Sequence, residues 1–539
     1  MSAKRRNVTK NNSYIKNLLE HWHDFRLKLF FEGILTGAFA GVVVVGFRLM
    51  LAWTGTERPK LFAFLRSSAF GWTALLFVCL IGIAFILSWL IKMVPMSTGS
   101  GIPQVKGILA GHLRMSWLKV IGAKFIGGIL GIGAGLSMGR EGPSVQLGAA
   151  AGQGVSRLLR RSSMEEKYLL TSGASAGLSA AFNAPLAGVV FALEELHKNF
   201  SPVVLASAVA ASVTADVVTR YVFGQGPVFD FHNIPLLPFH YYLYVVVLGL
   251  LIGAFGVLFN SSLVKFQIFY EKLHLPSQLK PAIPLVAAGF LGFVLPQVLG
   301  GGAHLINSLP QTHYALTILL VILVGKFLFT MLSYGTGVQG GIFMPLLAIG
   351  ALSGNAYGSI VAQYLHVDPV YVNNFIILAM AAYFSAIVKA PITGSILIME
   401  MTGNMEQLLP LVTVCMSAYI ASDVLKGKPI YDVLLNRILA KLRPAQKLSP
   451  QAHDEEKHIL EKVVSLEAPV CNRQICDIDW PENSLLVGIR RGDTELIPAQ
   501  DTFIYPGDYL IVMSGTAVFS RVHSCLQELT GEEKTVTVN

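Results

Sequence analysis

The stretch Gly139–Pro143 (GREGP) aligns with Gly341–Pro345 (GIFMP), 202 residues further along the chain. A third glycine-rich segment, Gly99–Pro103 (GSGIP), precedes both. Proline is favoured in the first turn of a helix, and glycine allows the backbone before it to turn tightly. Each of the three segments therefore predicts the N-terminus of a helix.

A second pair of segments repeats at nearly the same spacing. Asn183–Glu194 (NAPLAGVVFALE) aligns without gaps with Lys389–Glu400 (KAPITGSILIME), and the alanine, proline, glycine and glutamate positions are identical. Two similar halves of about 200 residues are typical of transporters built from inverted repeats. The alternative is that small-residue helix packing has produced similar strings by chance.

The composition predicts a polytopic membrane protein. Of the 539 residues, 53% are hydrophobic and 14% are charged, whereas soluble domains carry about 25% charged residues. No charged residue occurs in 67–91 or in 281–325, and each run exceeds the roughly 20 residues that cross a bilayer. Glycine and proline interrupt the apolar sequence repeatedly, which indicates tilted and broken helices around a buried site. The predicted fold class is an all-α membrane protein with two inverted repeats.

The distribution of charge predicts the domain boundaries. Residues 31–435 contain 38 charged residues, about 9%, whereas residues 436–539 contain 26, about 25%. The predicted parts are an N-terminal cytoplasmic segment (1–30), a membrane domain (31–437) with halves at about 31–235 and 240–437, a linker (438–455) and a small α+β cytoplasmic domain (456–539). Basic flanks on both sides of the membrane domain place both termini in the cytoplasm. The basic excess belongs to the membrane part, so no nucleic-acid partner is expected.

Local patterns predict the elements of the C-terminal domain. We expect a short helix ending over 460–466, strands over 484–489 and 503–513, and a helix over 518–529. The five cysteines are an odd number without a metal-ligand spacing, so neither a disulfide framework nor a metal site is expected. Lys326 and Lys389 lie in apolar segments, where they should snorkel or pair.

The three glycine-rich helix starts are suited to holding an anion. A helix N-terminus offers free N–H groups and about half a positive charge, and it binds anions without a fixed cation. Glu141 would place a carboxylate among these N–H groups, where it must compete with an anion for them. Ionised, it can occupy the anion site, and protonated it loses that attraction. The alternative for Glu141 is an ordinary solvated glutamate, and for Ser100 an N-cap.

These segments, together with Tyr431 in Lys428–Tyr431 (KPIY), strongly resemble the signature motifs of the CLC family of chloride channels and transporters. The resemblance covers residues 31 to about 437. It implies a homodimer in a prokaryotic cytoplasmic membrane, with one anion pathway in each subunit. The implied chloride ligands are the Ser100 and Tyr431 hydroxyls, the Ile342 and Phe343 N–H groups, and the backbone around Gly99, Arg140, Gly142 and Met344, with Glu141 as the gate.

The second acidic residue that the resemblance singles out is Glu195, in Ala192–Leu196 (ALEEL). CLC exchangers keep an acid at this position for proton transfer from the cytoplasm, whereas many channels of the family replace it. The resemblance thus implies a proton-coupled chloride antiporter that needs no cofactor and performs no covalent chemistry. The alternatives are a passive chloride channel, in which Glu195 belongs to a solvated helix end, a fluoride/proton antiporter, a potassium transporter and a membrane enzyme. Retention of Ser100 disfavours the fluoride branch.

The C-terminal domain resembles the TrkA C-terminal regulatory module. The matching residues are Leu485–Arg491 (LLVGIRR), Ile497-Pro498 and Tyr505–Leu510 (YPGDYL). Such modules pair with a second copy and bind small ligands, sometimes nucleotides. A purely structural, dimerising role is an equal alternative.

Overall fold

The computed structural model describes residues 2–198, 202–229, 231, 234–312, 314–442, 457–465, 468–491, 494–515 and 518–531. The chain divides into two compact units, Met1–Leu442 and Arg443–Asn539. Residues 438–442, which we expected in the linker, belong instead to the last helix of the first unit. The remainder of the predicted linker lies outside the described residues.

The described part of the first unit is built from helices. In chain order they are α1 (Ser2–Ser67), α2 (Phe70–Met93), α3 (Ile102–Leu109), α4 (Trp117–Gly133), α5 (Glu141–Leu158), α6 (Ser163–Phe182), α7 (Pro185–Phe191), α8 (Pro202–Phe223), α9 (Tyr242–Lys272), α10 (Ala282–Val294), α11 (Ala303–Ser308), α12 (Leu316–Gly335), α13 (Phe343–Tyr364), α14 (Val372–Val388), α15 (Pro391–Thr402), α16 (Leu408–Val424) and α17 (Ile430–Leu442). A π-helical turn, Ala192–His197, continues α7.

The helices of this unit differ widely in length, as the glycine and proline interruptions predict. Among the described residues, seven helical stretches are long and apolar enough to cross a membrane, the first being Leu27–Ser67 and the last Met405–Val424. By contrast, α3, α7 and α11 have eight, seven and six residues, too few to span a bilayer. The prediction of broken helices in a multi-pass membrane protein is confirmed.

The helices at the centre pack closely, while the outer ones expose apolar side chains. Every residue of α14 from Asn374 to Val388 is buried, and the α5 and α6 backbones approach so closely that a Cβ on Gly173 would clash with the Gly148 carbonyl. On the outside, Phe70 is 85% exposed and Trp72 is 53% exposed. A soluble protein rarely exposes so much apolar surface, so this surface faces lipid.

The internal repeat of the sequence is also a repeat of the structure. Glu194 accepts hydrogen bonds from the backbone N–H groups of Ile392 and Thr393 at the start of α15. At the equivalent positions, Glu400 accepts from Leu186 and Ala187 at the start of α7. Each half thus caps a helix of the other, because a carboxylate satisfies the free N–H groups of a helix start. Chance similarity of the two strings does not explain this reciprocity.

The described part of the second unit contains a four-stranded antiparallel sheet and one α-helix. The strands are β1 (Lys457–Val463), β2 (Ser484–Arg491), β3 (Thr494–Leu496) and β4 (Tyr509–Gly515), in the order β1-β4-β2-β3, and α18 (Phe519–Thr530) follows. Leu460, Ile489, Leu510, Val512, Val522 and Leu526 form its core.

Two predictions for this unit are wrong. Residues 460–463 belong to β1 and not to a helix, because Leu460 pairs with Val512 and packs in the core while the adjacent Ile459 faces outward, an alternation that suits a strand. Residues 503–508 precede β4 and do not extend it. The Asp508 carboxylate accepts a hydrogen bond from the Tyr505 N–H at 2.9 Å and closes a turn there. The predicted helix over 518–529 is confirmed as α18.

Candidate functional site

The three glycine-rich segments meet inside the membrane unit. Gly139 and Gly341 exchange backbone hydrogen bonds of 2.7 and 2.8 Å, and the Gly99 N–H donates to the Gly337 carbonyl at 3.0 Å. Directly after these contacts, α3, α5 and α13 begin at Ile102, Glu141 and Phe343. The three predicted helix starts are confirmed, and their positive dipole ends converge on one place.

Glycine is required where these segments touch. Gly101 has a φ of +95°, and a Cβ there would lie 2.5 Å from the Gln146 side chain. A Cβ on Gly142 would lie 2.8 Å from the Ser100 carbonyl oxygen. Larger residues at these positions would push the start of α5 away from Ser100.

Ser100, beside Gly142 at this meeting point, and Tyr431, in the first turn of α17, carry the hydroxyls that the sequence predicts as anion ligands. Both side chains are buried, and neither hydroxyl makes a hydrogen bond with another described group. Burial of a hydroxyl without a hydrogen-bond partner costs free energy unless a ligand accepts a hydrogen bond from it. A cavity of about 300 Å³, lined by Gly99, Ser100, Tyr334 and Arg437 among others, reaches this region.

Backbone N–H groups at the start of α13 complete the predicted ligand set. Ile342 is the N-cap of α13 and Phe343 is its first residue, and the first N–H groups of a helix have no acceptor within it. The Phe343 ring packs between Phe182 and Phe384, with centroids 5.0 and 4.7 Å away. This packing keeps the start of α13 in place.

Glu141 lies where it can compete with an anion. It is the first residue of α5 and is fully buried. Its Oε2 accepts a hydrogen bond from the Met344 N–H at 3.3 Å, and its Oε1 is 4.0 Å from the Arg140 Nε. The carboxylate therefore accepts a hydrogen bond from the Met344 N–H, which the resemblance assigns to the anion. The solvated-glutamate alternative is wrong for this side chain.

Glu195 lies on the π-helical turn and is buried. Single π turns inside helices are frequent at functional sites. Its Oε1 accepts a hydrogen bond from the Lys106 Nζ at 2.7 Å, and Lys106 also pairs with Asp432. The alternative of a solvated helix end is therefore wrong for Glu195.

Sequence reasoning missed Lys106, Asp432 and Lys124. Lys124 is fully buried, and its Nζ donates to the Ser97 and Gly99 carbonyls at 3.0 and 2.7 Å, which holds the turn before Ser100. Lys326, 202 residues further on, donates in the same way to the Val298 and Gly300 carbonyls at 3.0 and 2.6 Å. This shared spacing was a signal that could have identified Lys124. The pairing of Lys106 with Asp432 has no local signal.

The fold and the convergent helix starts are those of a known family. Residues 83–423 match the family model described as voltage-gated chloride channel. This chain belongs to the voltage-gated chloride channel family. In this family member, residues 459–522 of the second unit match the TrkA-C domain model.

Relatives of this chloride channel family member include known exchangers. The H(+)/Cl(-) exchange transporter ClcA of Salmonella gallinarum is 33% identical over 434 residues, which cover 79% of this chain and 92% of the relative. ClcA of Citrobacter koseri is also 33% identical, with the same coverage. Among solved structures, a slow cyanobacterial Cl-/H+ antiporter has a TM-score of 0.73 and 31% identity, covering 77% of this chain and 98% of the other. A CLC-type fluoride/proton antiporter has a TM-score of 0.64 and 24% identity, a likeness of fold alone.

Proposed function

We propose that this protein exchanges chloride for protons across a membrane. The observation that carries the proposal is the buried Glu141 carboxylate on the Met344 N–H, together with the buried Ser100 and Tyr431 hydroxyls, which have no partner among the described groups. The exchange activity named for the ClcA relatives and for the cyanobacterial antiporter supports it.

The geometry couples the two ions through competition for the same donors. Chloride is held by the hydroxyls of Ser100 and Tyr431 and by the N–H groups of Ile342 and Phe343. Ionised Glu141 takes up the Met344 N–H and keeps the anion from that position. When Glu141 binds a proton, it loses most of its attraction to the helix N-termini and leaves the position to the anion. Anion binding and proton binding are therefore linked.

Proton exchange needs a second acid on the other side of the anion site, and we assign this role to Glu195. Its burial is what a proton carrier requires, since an exposed acid would equilibrate with water independently of the anion. A channel needs no such acid. Retention of Ser100 favours chloride over fluoride as the anion, and the relatives at 33% identity are named for chloride exchange.

The assembly and location that we propose follow the same family pattern. The protein forms a homodimer in the cytoplasmic membrane of a prokaryote, with both termini in the cytoplasm. The TrkA-C domain serves as a regulatory unit that pairs with its copy and binds a small ligand such as a nucleotide. The basic residues before and after the membrane unit support this orientation.

The test is proton movement in vesicles that contain the purified protein. A chloride gradient is imposed, the membrane voltage is set with a potassium ionophore, and the external pH is recorded. We expect protons to move against their own gradient, and we expect Glu195→Gln to stop this movement while chloride flux continues. Chloride flux without uphill proton movement in the wild type would indicate a passive channel instead. No anion flux at all would exclude the transporter.

A further inference from the structure

Among the described residues, Glu195 stands at one end of a row of four charged side chains linked by ion pairs. The Lys106 Nζ donates to the Glu195 Oε1 at 2.7 Å and also to the Asp432 Oδ1. The Lys198 Nζ donates to the Asp432 Oδ2 at 2.7 Å. Two acids and two bases thus alternate, so their formal charges cancel.

The exposure of the side chains increases along this row, from Glu195 to Lys198. The exposed fraction of the side chain is 4% for Glu195 and 6% for Lys106, then 29% for Asp432 and 56% for Lys198. Lys106 and Asp432 therefore lie between Glu195 and the exposed Lys198 in this row of ion pairs. The free energy of protonating Glu195 therefore depends on its ion pair with Lys106, which is itself paired with Asp432.

Lys106 joins three elements of the proposed transport site. It lies on α3, which begins two residues after Ser100. Asp432 directly follows Tyr431 on α17, and Glu195 lies on the π-helical turn. An ammonium group is a compact charge with three N–H donors, and here two carboxylates share it. A stronger bond to one acid weakens the stabilisation of the other.

Other titratable groups near Glu195 have different partners. The His197 Nε2 lies 2.8 Å from the Thr171 Oγ1 of α6, and Lys167 of the same helix is the charge that acts on His197. Glu194 binds the start of α15. The sequence of α8 contains no titratable residue before Asp216, and Tyr431 adds a neutral hydroxyl. Among the described residues, Lys106 is thus the cation that contacts Glu195 directly.

We propose that Lys106 and Asp432 are positioning residues that set the cytoplasmic pH at which Glu195 accepts its proton. The inference rests on the proposed exchange function. Ionised Glu195 is stabilised by Lys106. When a proton from cytoplasmic water binds the Glu195 carboxylate, the ammonium transfers its pairing to Asp432, so that no buried charge is left without a partner. Asp432 thus favours proton uptake, whereas Lys106 opposes it.

Two substitutions should move the pH dependence of exchange in opposite directions. Lys106→Met removes the cation that stabilises ionised Glu195, so the cytoplasmic pH for half-maximal proton uptake should rise by about one unit or more, the usual effect of a close opposite charge. Asp432→Asn leaves the ammonium to Glu195 alone, so this pH should fall. Lys106→Arg keeps the cation and should return the value towards that of the wild type.

The measurement is uphill proton uptake by vesicles against cytoplasmic-side pH, with chloride flux recorded in the same vesicles. Lys389→Met is the matched control, because Lys389 also pairs with an aspartate, the Asp423 carboxylate at 2.8 Å, on a helix remote in sequence from Glu195. It should leave the midpoint unchanged. If Lys106→Met yields no chloride flux, the sign of the Asp432→Asn shift decides.

Each outcome supports or overturns one of the two proposals. Opposite shifts of the two variants support the role of the pair. Equal shifts, or none, in vesicles where the wild type still moves protons uphill would overturn the role of the pair and leave the exchange function intact. A wild type that carries chloride alone would overturn the exchange function, and the role of the pair with it.

Discussion

Replacement of Glu141 tests the competition between carboxylate and chloride. In the structure the carboxylate accepts the Met344 N–H at 3.3 Å. A hydrogen bond to a charged group contributes about 1.5–3 kcal/mol, and chloride must displace it to occupy the same N–H group. Glu141→Ala removes the competitor, so chloride should bind about ten- to a hundredfold more tightly, since each 1.4 kcal/mol is about a factor of ten.

The Glu141→Gln variant should lie between the wild type and Glu141→Ala. Its amide oxygen can still accept the Met344 N–H, but it carries no charge to compete with the anion. Chloride affinity is measured by isothermal titration on the purified protein. Glu57→Gln is the control, because Glu57 is an exposed residue of α1 that pairs with Lys60 at 2.8 Å. The chloride affinity of this variant should match that of the wild type.

Both Glu141 variants should also lose proton coupling while chloride flux continues, because neither glutamine nor alanine has a titratable side chain. In the wild type, chloride affinity should increase as the pH falls, since protonated Glu141 no longer competes. In Glu141→Ala this dependence should disappear. Unchanged chloride affinity in Glu141→Ala, or proton movement that persists in either variant, would refute the assignment of Glu141 as the gate.

Three further predictions follow from contacts elsewhere. Glu194→Ala leaves two N–H groups of α15 without an acceptor and should lower the free energy of unfolding by about 2–4 kcal/mol, which a lower thermal unfolding temperature in detergent would reveal. Lys124→Met should weaken chloride binding several-fold, because the turn before the anion site loosens. Lys326→Met, the equivalent substitution in the second repeat, should lower the stability of the fold but leave the chloride affinity unchanged. Equal chloride affinities in the two variants would contradict this. The Asp508 carboxylate accepts two hydrogen bonds of 2.8 Å from the Arg491 guanidinium, and these bonds raise the pKa of Arg491. Asp508→Ala removes both bonds, so hydrogen exchange in β4 of the full chain should accelerate.

The C-terminal unit illustrates where sequence patterns fail. The run from Leu460 to Leu466 is compatible with a helix or a strand, because its apolar residues are few and the segment is short. What decides is the partner: β1 pairs with β4 along seven residues. Such pairing depends on residues about 50 positions away, which no local pattern contains. The helix α18 has its own periodicity and was predicted correctly.

The amino-acid sequence is sufficient to identify the class of protein, the repeat and the three helix starts. These follow from local properties: the length of apolar runs, the conformational freedom of glycine and the restricted φ of proline. It also pointed to Ser100, Glu141, Glu195 and Tyr431, through motifs in which each residue is recognised by its immediate neighbours.

Which charges share a site depends on how the helices pack. Lys106 is 89 residues from Glu195 in the sequence and 326 from Asp432. Glu194 of the first half binds the start of α15, and Glu400 of the second half binds the start of α7. None of these pairs has a spacing that a helix or a strand would impose. They form because burial in the membrane unit leaves each charge few partners, and packing of the two repeats determines which partner is within reach.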